Sequence, residues 1–418
     1  MAKLSKPAIL GGEKAVTLEQ AEANRYPIIT GEDEEAVLEV LRNGQLSIHS
    51  VTRELENDYR KRFGVRHALA HCNGTSALMA SFFGLNLQPG DEVIVPSATF
   101  WASVVPMLWV GAIPVFAESE PERLGLDPQD VESKITPRTK ALVVVHLFGM
   151  PSKMTELFEI ARKYDLKIIE DASHAHGAVW RDQACGTLGD VSVFSLQTDK
   201  LAPAGEGGIL LTDDDEIYER AVCLGDMARM LELPTSTRRL AATTFGMKTR
   251  MASLSAAVGR TQLKRLDERN QRRSENLVYL SEKLERLGFH TFLPPEHVSR
   301  VYFEFLIRYN TETGGMPTNI LIEALQVEGC DVSAPRYPLL HQQPFFTEGL
   351  WASVARLPDS TKLPVYKADA LPQIEAENQK LIKLPVFPSA RQDLLDQYAL
   401  AFEKVLHHAG EIAAKIQE

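Results

Sequence analysis

Three short stretches carry residue types that could do chemistry together. Asn73-Gly74-Thr75-Ser76 closes an apolar run and opens a segment of helical period. A glycine followed by hydroxyls at a helix start offers free N–H groups and the positive end of the helix dipole to an anion. The same residues also suit an ordinary helix cap by Thr75 or Ser76, the commoner use of such side chains. Glu170-Asp171-Ala172-Ser173-His174-Ala175-His176-Gly177 follows a second apolar run. It leaves the Asp171 carboxylate at a strand end, where it either faces a cationic ring nitrogen of a bound cofactor or caps the turn. His174-x-His176 would suit a metal, but no third ligand stands at a fitting spacing, so no metal is expected. The third stretch, Ser195-Leu196-Gln197-Thr198-Asp199-Lys200 with Gly205-Glu206-Gly207-Gly208 behind it, sets a lysine in a loop of small residues. Most lysines are solvated surface charges; what singles out Lys200 is its place between a phosphate-type serine and a glycine-rich return.

The elements that must position these residues follow from hydrophobic period. Short apolar runs at Ala68–Cys72, Glu92–Pro96, Ile113–Phe116, Ala141–His146, Lys167–Glu170, Val191–Ser195 and Gly208–Leu211 alternate with helical segments such as Thr75–Leu85 and Met154–Tyr164. That alternation predicts an α/β fold, a mostly parallel sheet covered by helices on both faces, with ligands bound beyond the carboxyl ends of the strands. Phe100–Trp109 reads as a buried helix, and Met251–Leu287 as a long helix leaving the large domain. The rest holds a Phe303–Tyr309 strand, a Thr318–Glu328 helix, a Pro-rich irregular stretch from Ser333 to Pro372 and a final helix from Arg391. The expected division is a large domain over residues 1–270 and a small α+β domain over residues 271–418.

Composition narrows the class. The 418 residues are 44% hydrophobic and 24% charged, the balance of an ordinary folded protein, and 45 basic against 56 acidic residues leave a formal charge of −11. A surface of that sign disfavours nucleic acid. Cys72, Cys185, Cys223 and Cys330 never form a CxxC pair, which argues against zinc, iron–sulfur and disulfide frameworks and favours a reduced, cytoplasmic setting. Met1-Ala2-Lys3-Leu4-Ser5-Lys6-Pro7 has no apolar run behind its lysines, unlike a secretory leader. The stretch from Phe100 to Ala117 is interrupted by Pro106, Gly111 and Pro114 and does not read as a membrane span.

Neither GxxxxGK[ST] nor a GxGxxG after a strand occurs, so the usual marks of a nucleotide-dependent enzyme are missing. An anion cup, a strand-end carboxylate and a loop amine together match what pyridoxal phosphate requires. Beyond that, the order of Asn73-Gly74-Thr75-Ser76-Ala77-Leu78, Gly90-Asp91-Glu92-Val93-Ile94-Val95-Pro96, Thr99-Phe100, Glu170 to Gly177, Phe194-Ser195 through Lys200, Gly205 to Gly208 and Arg250-Met251 resembles the DegT/DnrJ/EryC1/StrS sugar aminotransferases, within the type I fold of pyridoxal phosphate enzymes. The resemblance implies a Schiff base on Lys200, Asp171 against the pyridinium nitrogen, His174 near the phenolic oxygen and Phe100 stacked on the ring. It gives the phosphate to Gly74, Thr75, Ser76 and Ser195. It also implies a homodimer with shared active sites, in which Lys248 of Gly246-Met247-Lys248-Thr249-Arg250-Met251 stands where relatives carry a phosphate-binding Asn. The implied reaction moves an amino group from glutamate or glutamine to a keto sugar or keto cyclitol. A dehydratase of the same fold is the rival reading, disfavoured because such relatives replace the lysine with histidine; a non-catalytic regulator of the same family is the other.

Overall fold

The computed structural model describes residues 5–48, 50–234, 236–358, 361 and 363–417. Met1 to Leu4, the head of the segment read above as lacking a leader, lie outside the described residues. Seven strands form the main sheet: β1 (His67–His71), β2 (Glu92–Pro96), β3 (Ile113–Ala117), β4 (Thr139–Val145), β5 (Lys167–Asp171), β6 (Val191–Ser195) and β7 (Gly208–Thr212). Their spatial order is β1-β7-β6-β5-β4-β2-β3. From β3 to β6 every pair is parallel, and β7 runs antiparallel to both β6 and β1. The mostly parallel expectation therefore holds, with β7 the exception.

Strict alternation divides the sheet's side chains between two cores. Val93, Val95, Ala141, Val143, Val145 and Ile169 face the principal core, whereas Ile94, Leu142, Val144 and Ile168 face a second layer built on Met154, Leu157, Ile160 and Ala161 of the helix Met154–Tyr164. Burial on both faces is why these strands read as continuous apolar runs. Because β1 and β6 are each antiparallel to β7, they run parallel to one another. The carboxyl ends of β1, β5 and β6 thus meet at one edge, and Gly208 at the start of β7 pairs with His71 on one side and Ser195 on the other.

A further core surrounds an antiparallel pair, Phe305–Arg308 with Leu381–Leu384, covered by the helices Thr318–Val327 and Gln392–His407. The helix Leu266–Arg286 joins the two, since Leu266 packs in the principal core and Leu277, Leu280 and Leu284 in this one. The amino-terminal segment, expected with the large domain, puts Val16 and Ala23 into this second core, and Glu328 accepts hydrogen bonds from Ala8 and Ala15 N–H.

Three local expectations need correction. Phe100–Trp109 is two 3-10 turns, Trp101–Ser103 and Val105–Val110, broken at Val104 (φ −123°, ψ −56°), and Phe100, Trp101 and Trp109 are exposed rather than buried. The long helix over 251–287 is two helices, Ser253–Lys264 and Leu266–Arg286, separated at Arg265 (φ −98°, ψ 5°). Arg265 is drawn aside by Thr30 Oγ1 at 2.6 Å and Asp33 Oδ2 at 2.5 Å. The stretch from Ser333 to Pro372 is not wholly irregular: it holds short helical turns at Leu340–Gln342, Pro344–Thr347 and Trp351–Ala355. Among the described residues, no helix is long and apolar enough to cross a membrane, and all four cysteines are free.

Candidate active site

The edge where β1, β5 and β6 end opens into a cavity of about 750 Å³, lined by Gly74, Thr75, Ser76, Phe100, Asp171, His174, Ser195 and Lys200 among others. Eight of the nine residues singled out from the sequence therefore share one space. Lys248 does not: it is exposed and does not line this chain's cavity.

One wall is the start of the helix Gly74–Gly84. Its cap is Asn73, whose Oδ1 accepts from Ser76 N–H at 2.8 Å, which corrects the reading of Thr75 or Ser76 as the cap. The N–H groups of Gly74 and Thr75, in the first turn, have no intrahelical acceptor, and both residues line the cavity together with Ser195. Only glycine fits here, because a Cβ on residue 74 would stand 2.9 Å from Ser195 Cβ. Likewise a Cβ on Gly208 would meet Asn73 O at 2.4 Å, so the three backbone segments are wedged together around the cup.

Asp171 ends β5 on the cavity floor. Ser103 Oγ donates to its Oδ2 at 2.6 Å, Thr99 Oγ1 lies 2.9 Å from Ser103 Oγ, and Ser173 N–H donates to Oδ1 at 3.1 Å. Donors on both oxygens fix the carboxylate in place. Its neighbour Glu170 points away and is fully buried, accepting from Gly186, Leu188 and Gly189 N–H and facing His146 Nε2 at 2.8 Å. That cluster ties the ends of β4 and β5 to the following loop.

Lys200 is 9% exposed, and its ammonium has neither a hydrogen bond nor an ion pair among the described residues. It lies 4.1 Å from the centroid of the Phe303 ring. Burial, partly offset by Asp171, pushes its pKa down to about 8, the range of a nucleophilic amine. The backbone beneath it is clasped by Tyr26, whose hydroxyl reaches the carbonyls of Lys200 at 2.7 Å and Leu201 at 3.1 Å. His174 stacks on Phe303 with ring centroids 4.1 Å apart, and burial, helped by the charge of Lys200, holds it well below its ordinary pKa. Phe148 N–H donates to its Nδ1 at 3.3 Å, which leaves the proton on Nε2, 3.3 Å from the Tyr337 hydroxyl. His176, by contrast, is a core residue against Tyr59 and Phe194, and no cluster among the described residues could hold a metal.

Phe303, Arg336, Tyr337 and Ser103 complete the site and were not singled out from the sequence. Arg336 and Tyr337 lie in the stretch read as irregular, and their proximity to Lys200 arises only when the segment after 300 docks on the large sheet.

Residues 27–396 match the DegT/DnrJ/EryC1/StrS aminotransferase family. The L-glutamine:2-deoxy-scyllo-inosose aminotransferase of Streptomyces kanamyceticus is 33% identical over 396 residues, 91% of this chain and 92% of that protein. GDP-perosamine synthase of Caulobacter vibrioides is 33% identical over 369 residues, 85% of this chain and 97% of that one. Among solved structures, DesI in the presence of its TDP-sugar product superposes with a TM-score of 0.82 at 28% identity, covering 100% of both chains. The chain belongs to the DegT/DnrJ/EryC1/StrS aminotransferase family and has the type I fold of pyridoxal phosphate-dependent enzymes. It is, in class, a pyridoxal phosphate-dependent aminotransferase.

Proposed function

We propose that this chain transfers an amino group from an amino acid, glutamine or glutamate, to a keto sugar or keto cyclitol in the making of an amino sugar, an aminocyclitol or an antibiotic precursor. The observation that carries the reading is an unpaired lysine amine with a pKa of about 8, in one cavity with an anion cup and a fixed carboxylate. These residues fit pyridoxal phosphate: the cup suits the phosphate, Asp171 the protonated ring nitrogen, and Lys200 the carbonyl carbon. When bound, that cofactor supplies a carbonyl for amines and a ring that takes up the electrons left when a proton leaves the substrate carbon.

Lys200 would hold the cofactor at rest, and its amine, once free, would take and return the proton of the substrate carbon. Asp171 would face the ring nitrogen and favour its protonated form. Neutral His174 has its Nε2–H beside the Tyr337 hydroxyl at the cavity wall as a donor, and Phe100, which lines the cavity, would cover the ring face. A homodimer with composite sites is part of the proposal, with Lys248 serving the partner's phosphate. Exposed Met227, Leu231, Phe245 and Met247 support it, an apolar surface around the same segment. A cytoplasmic setting and a domain boundary near residue 270 belong to the same proposal.

Borohydride reduction and peptide mapping test the core of it. The phosphopyridoxyl group is expected on Lys200, and an amino acid donor is expected to shift the cofactor's absorbance in the wild type but not in Lys200→Ala. Label on another lysine refutes the site; a wild type that no amino acid converts refutes the reaction.

A further inference from the structure

Because the amine of Lys200 has no partner at its own end among the described residues, the backbone that carries it must decide where it stands. Part of that backbone is closed on itself: Lys200 N–H donates to Gln197 O at 2.8 Å and Ala204 N–H to Leu196 O at 2.7 Å. The rest is held from outside the loop. The carbonyls of Lys200 and Leu201, both buried residues, meet the Tyr26 hydroxyl at 2.7 and 3.1 Å. One O–H group from a distant part of the chain thus serves two neighbouring peptide groups at the reactive lysine.

Tyr26 stands where the chain crosses between the two cores. Before it, Val16 and Ala23 pack in the second core, and Gln20 Nε2 donates to Gly329 O at 2.8 Å. After it, Ile28 O and Asp33 Oδ1 accept from Gln262 Nε2, on the helix Ser253–Lys264, at 3.1 and 2.9 Å. The other crossing, the helix Leu266–Arg286, passes the same point. Its Arg273 is 2% exposed and has no ion pair among the described residues, and its guanidinium lies 4.3 Å from the centroid of the Tyr26 ring. A desolvated cation on a ring face is held firmly there, which fixes the ring and with it the hydroxyl.

We infer that Tyr26 is a positioning residue for Lys200: its hydroxyl holds the peptide groups of residues 200 and 201 so that an amine without a partner of its own meets the cofactor's carbonyl carbon, and Arg273 fixes it where the two cores join. This rests on the assignment of Lys200 in the reading above. Tyr26 touches the backbone and not the reacting atoms, so its effect is confined to what Lys200 does.

The test compares two probes on the cofactor-free protein, pyridoxal phosphate and pyridoxamine phosphate, by their dissociation constants. Both offer the ring and the phosphate, but only the first has an aldehyde for Lys200, so the ratio of the two constants reports the lysine while pyridoxamine phosphate alone reports the rest of the site. The wild type is expected to favour pyridoxal phosphate, and Lys200→Ala to abolish the preference. Tyr26→Phe keeps the ring against Arg273 and removes the hydroxyl. It should cut the preference about ten- to hundredfold, the scale of a reacting group displaced by about 1 Å, with pyridoxamine phosphate bound about as in the wild type. Added to Lys200→Ala, it should change neither constant, since the lysine through which it acts is gone. Arg273→Met should lower the preference part of the way. An unchanged preference in Tyr26→Phe, an equal loss of both probes, or an effect that persists in the Lys200→Ala background overturns the inference and makes Tyr26 a support of the fold alone. A preference that Lys200→Ala leaves as in the wild type refutes the assignment of Lys200 instead, and the inference falls with it.

Discussion

Replacing Gly74 by alanine asks whether the anion cup is set by how closely two backbones approach. A Cβ at this position would lie 2.9 Å from Ser195 Cβ, 3.2 Å from Ser195 Oγ and 3.3 Å from Ser195 Cα. Carbon atoms in contact settle at roughly 3.5–4.0 Å, so one wall must retreat by about 0.6–1 Å. Neither wall is free to do so: Ser195 is registered against Gly208, and Gly208 is already wedged against Asn73. Overpacking of this kind costs about 1–3 kcal/mol, and alanine's better helix propensity returns about 1 kcal/mol. The net loss of stability is therefore modest, about 0–2 kcal/mol. The loss in cofactor affinity is expected to be larger, because displacing a positioned group by about 1 Å can weaken its function about a hundredfold. Urea denaturation of the cofactor-free protein and the dissociation constant of pyridoxal phosphate, measured side by side, separate the two. Gly31→Ala is the control, a first-turn helical glycine with no atom within 4 Å of its added Cβ, and it should stabilise by about 0.4–1 kcal/mol. Cofactor affinity within twofold of wild type in Gly74→Ala, with the control behaving as stated, would refute the argument.

Three further outcomes follow from the charges. A pKa of about 8 gives Lys200 about 300 times more neutral amine near pH 7 than an ordinary lysine, so the cofactor-free protein should capture a small aldehyde at a rate that rises with pH and levels off near 8. Asp171→Asn removes a charge that raises that pKa and should move the plateau to lower pH; a plateau above 10 in the wild type would contradict the burial argument. Burial lowers the pKa of His146, but Cys185 and the Glu170 carboxylate more than reverse this and bring it to about 10. The stabilisation is thus complete below about 6.5 and is lost as pH rises through 10. Glu170→Gln should cost about 3–5 kcal/mol near neutrality, a gap that narrows in alkaline denaturation series; a pH-independent gap would point to the lost N–H contacts alone. Finally, Lys200→Ala and Lys248→Ala chains, each impaired alone, should regain activity when mixed and allowed to exchange subunits, and no recovery after proven exchange would return Lys248 to the solvent.

The catalytic half of the cavity was legible because it is written at strand ends. Gly74, Asp171, Ser195 and Lys200 each follow an apolar run within a few residues, and a parallel sheet brings such positions to one edge whatever its exact strand order. The antiparallel course of β7 was not legible, since Gly208–Thr212 is as apolar as its parallel neighbours. Nor was the substrate wall. Phe303 and Arg336 reach the cavity through the docking of a second core on the first, a long-range event with no local signature. The break at Arg265 has the same origin, as a helix-compatible residue is pulled out of register by Asp33, more than two hundred residues earlier in the chain. Short-range pattern also misjudged Phe100–Trp109: Ala102, Val104, Met107 and Leu108 do enter the core, but Phe100 and Trp101 line the cavity and Trp109 lies on the surface.

The unpaired state of Lys200 is the feature that binds these pieces together. A buried ammonium beside carboxylates would ordinarily be claimed by one of them, and its amine would then be protonated and inert. Here each of the three acids whose charge acts on Lys200 has another partner. Asp171 is occupied by Ser103 and Ser173, while Asp199 and Glu304 face Arg336. Arg336 also acts on Lys200 directly, since its charge adds to burial in disfavouring the ammonium. A neutral residue at 336 would therefore change the amine. It would release Asp199 and Glu304 to pull the Lys200 pKa upward, so the plateau of aldehyde capture should move to higher pH in Arg336→Gln and move part of the way back when Glu304→Gln is added. Arg336, its two acids and the amine of Lys200 are one electrostatic unit.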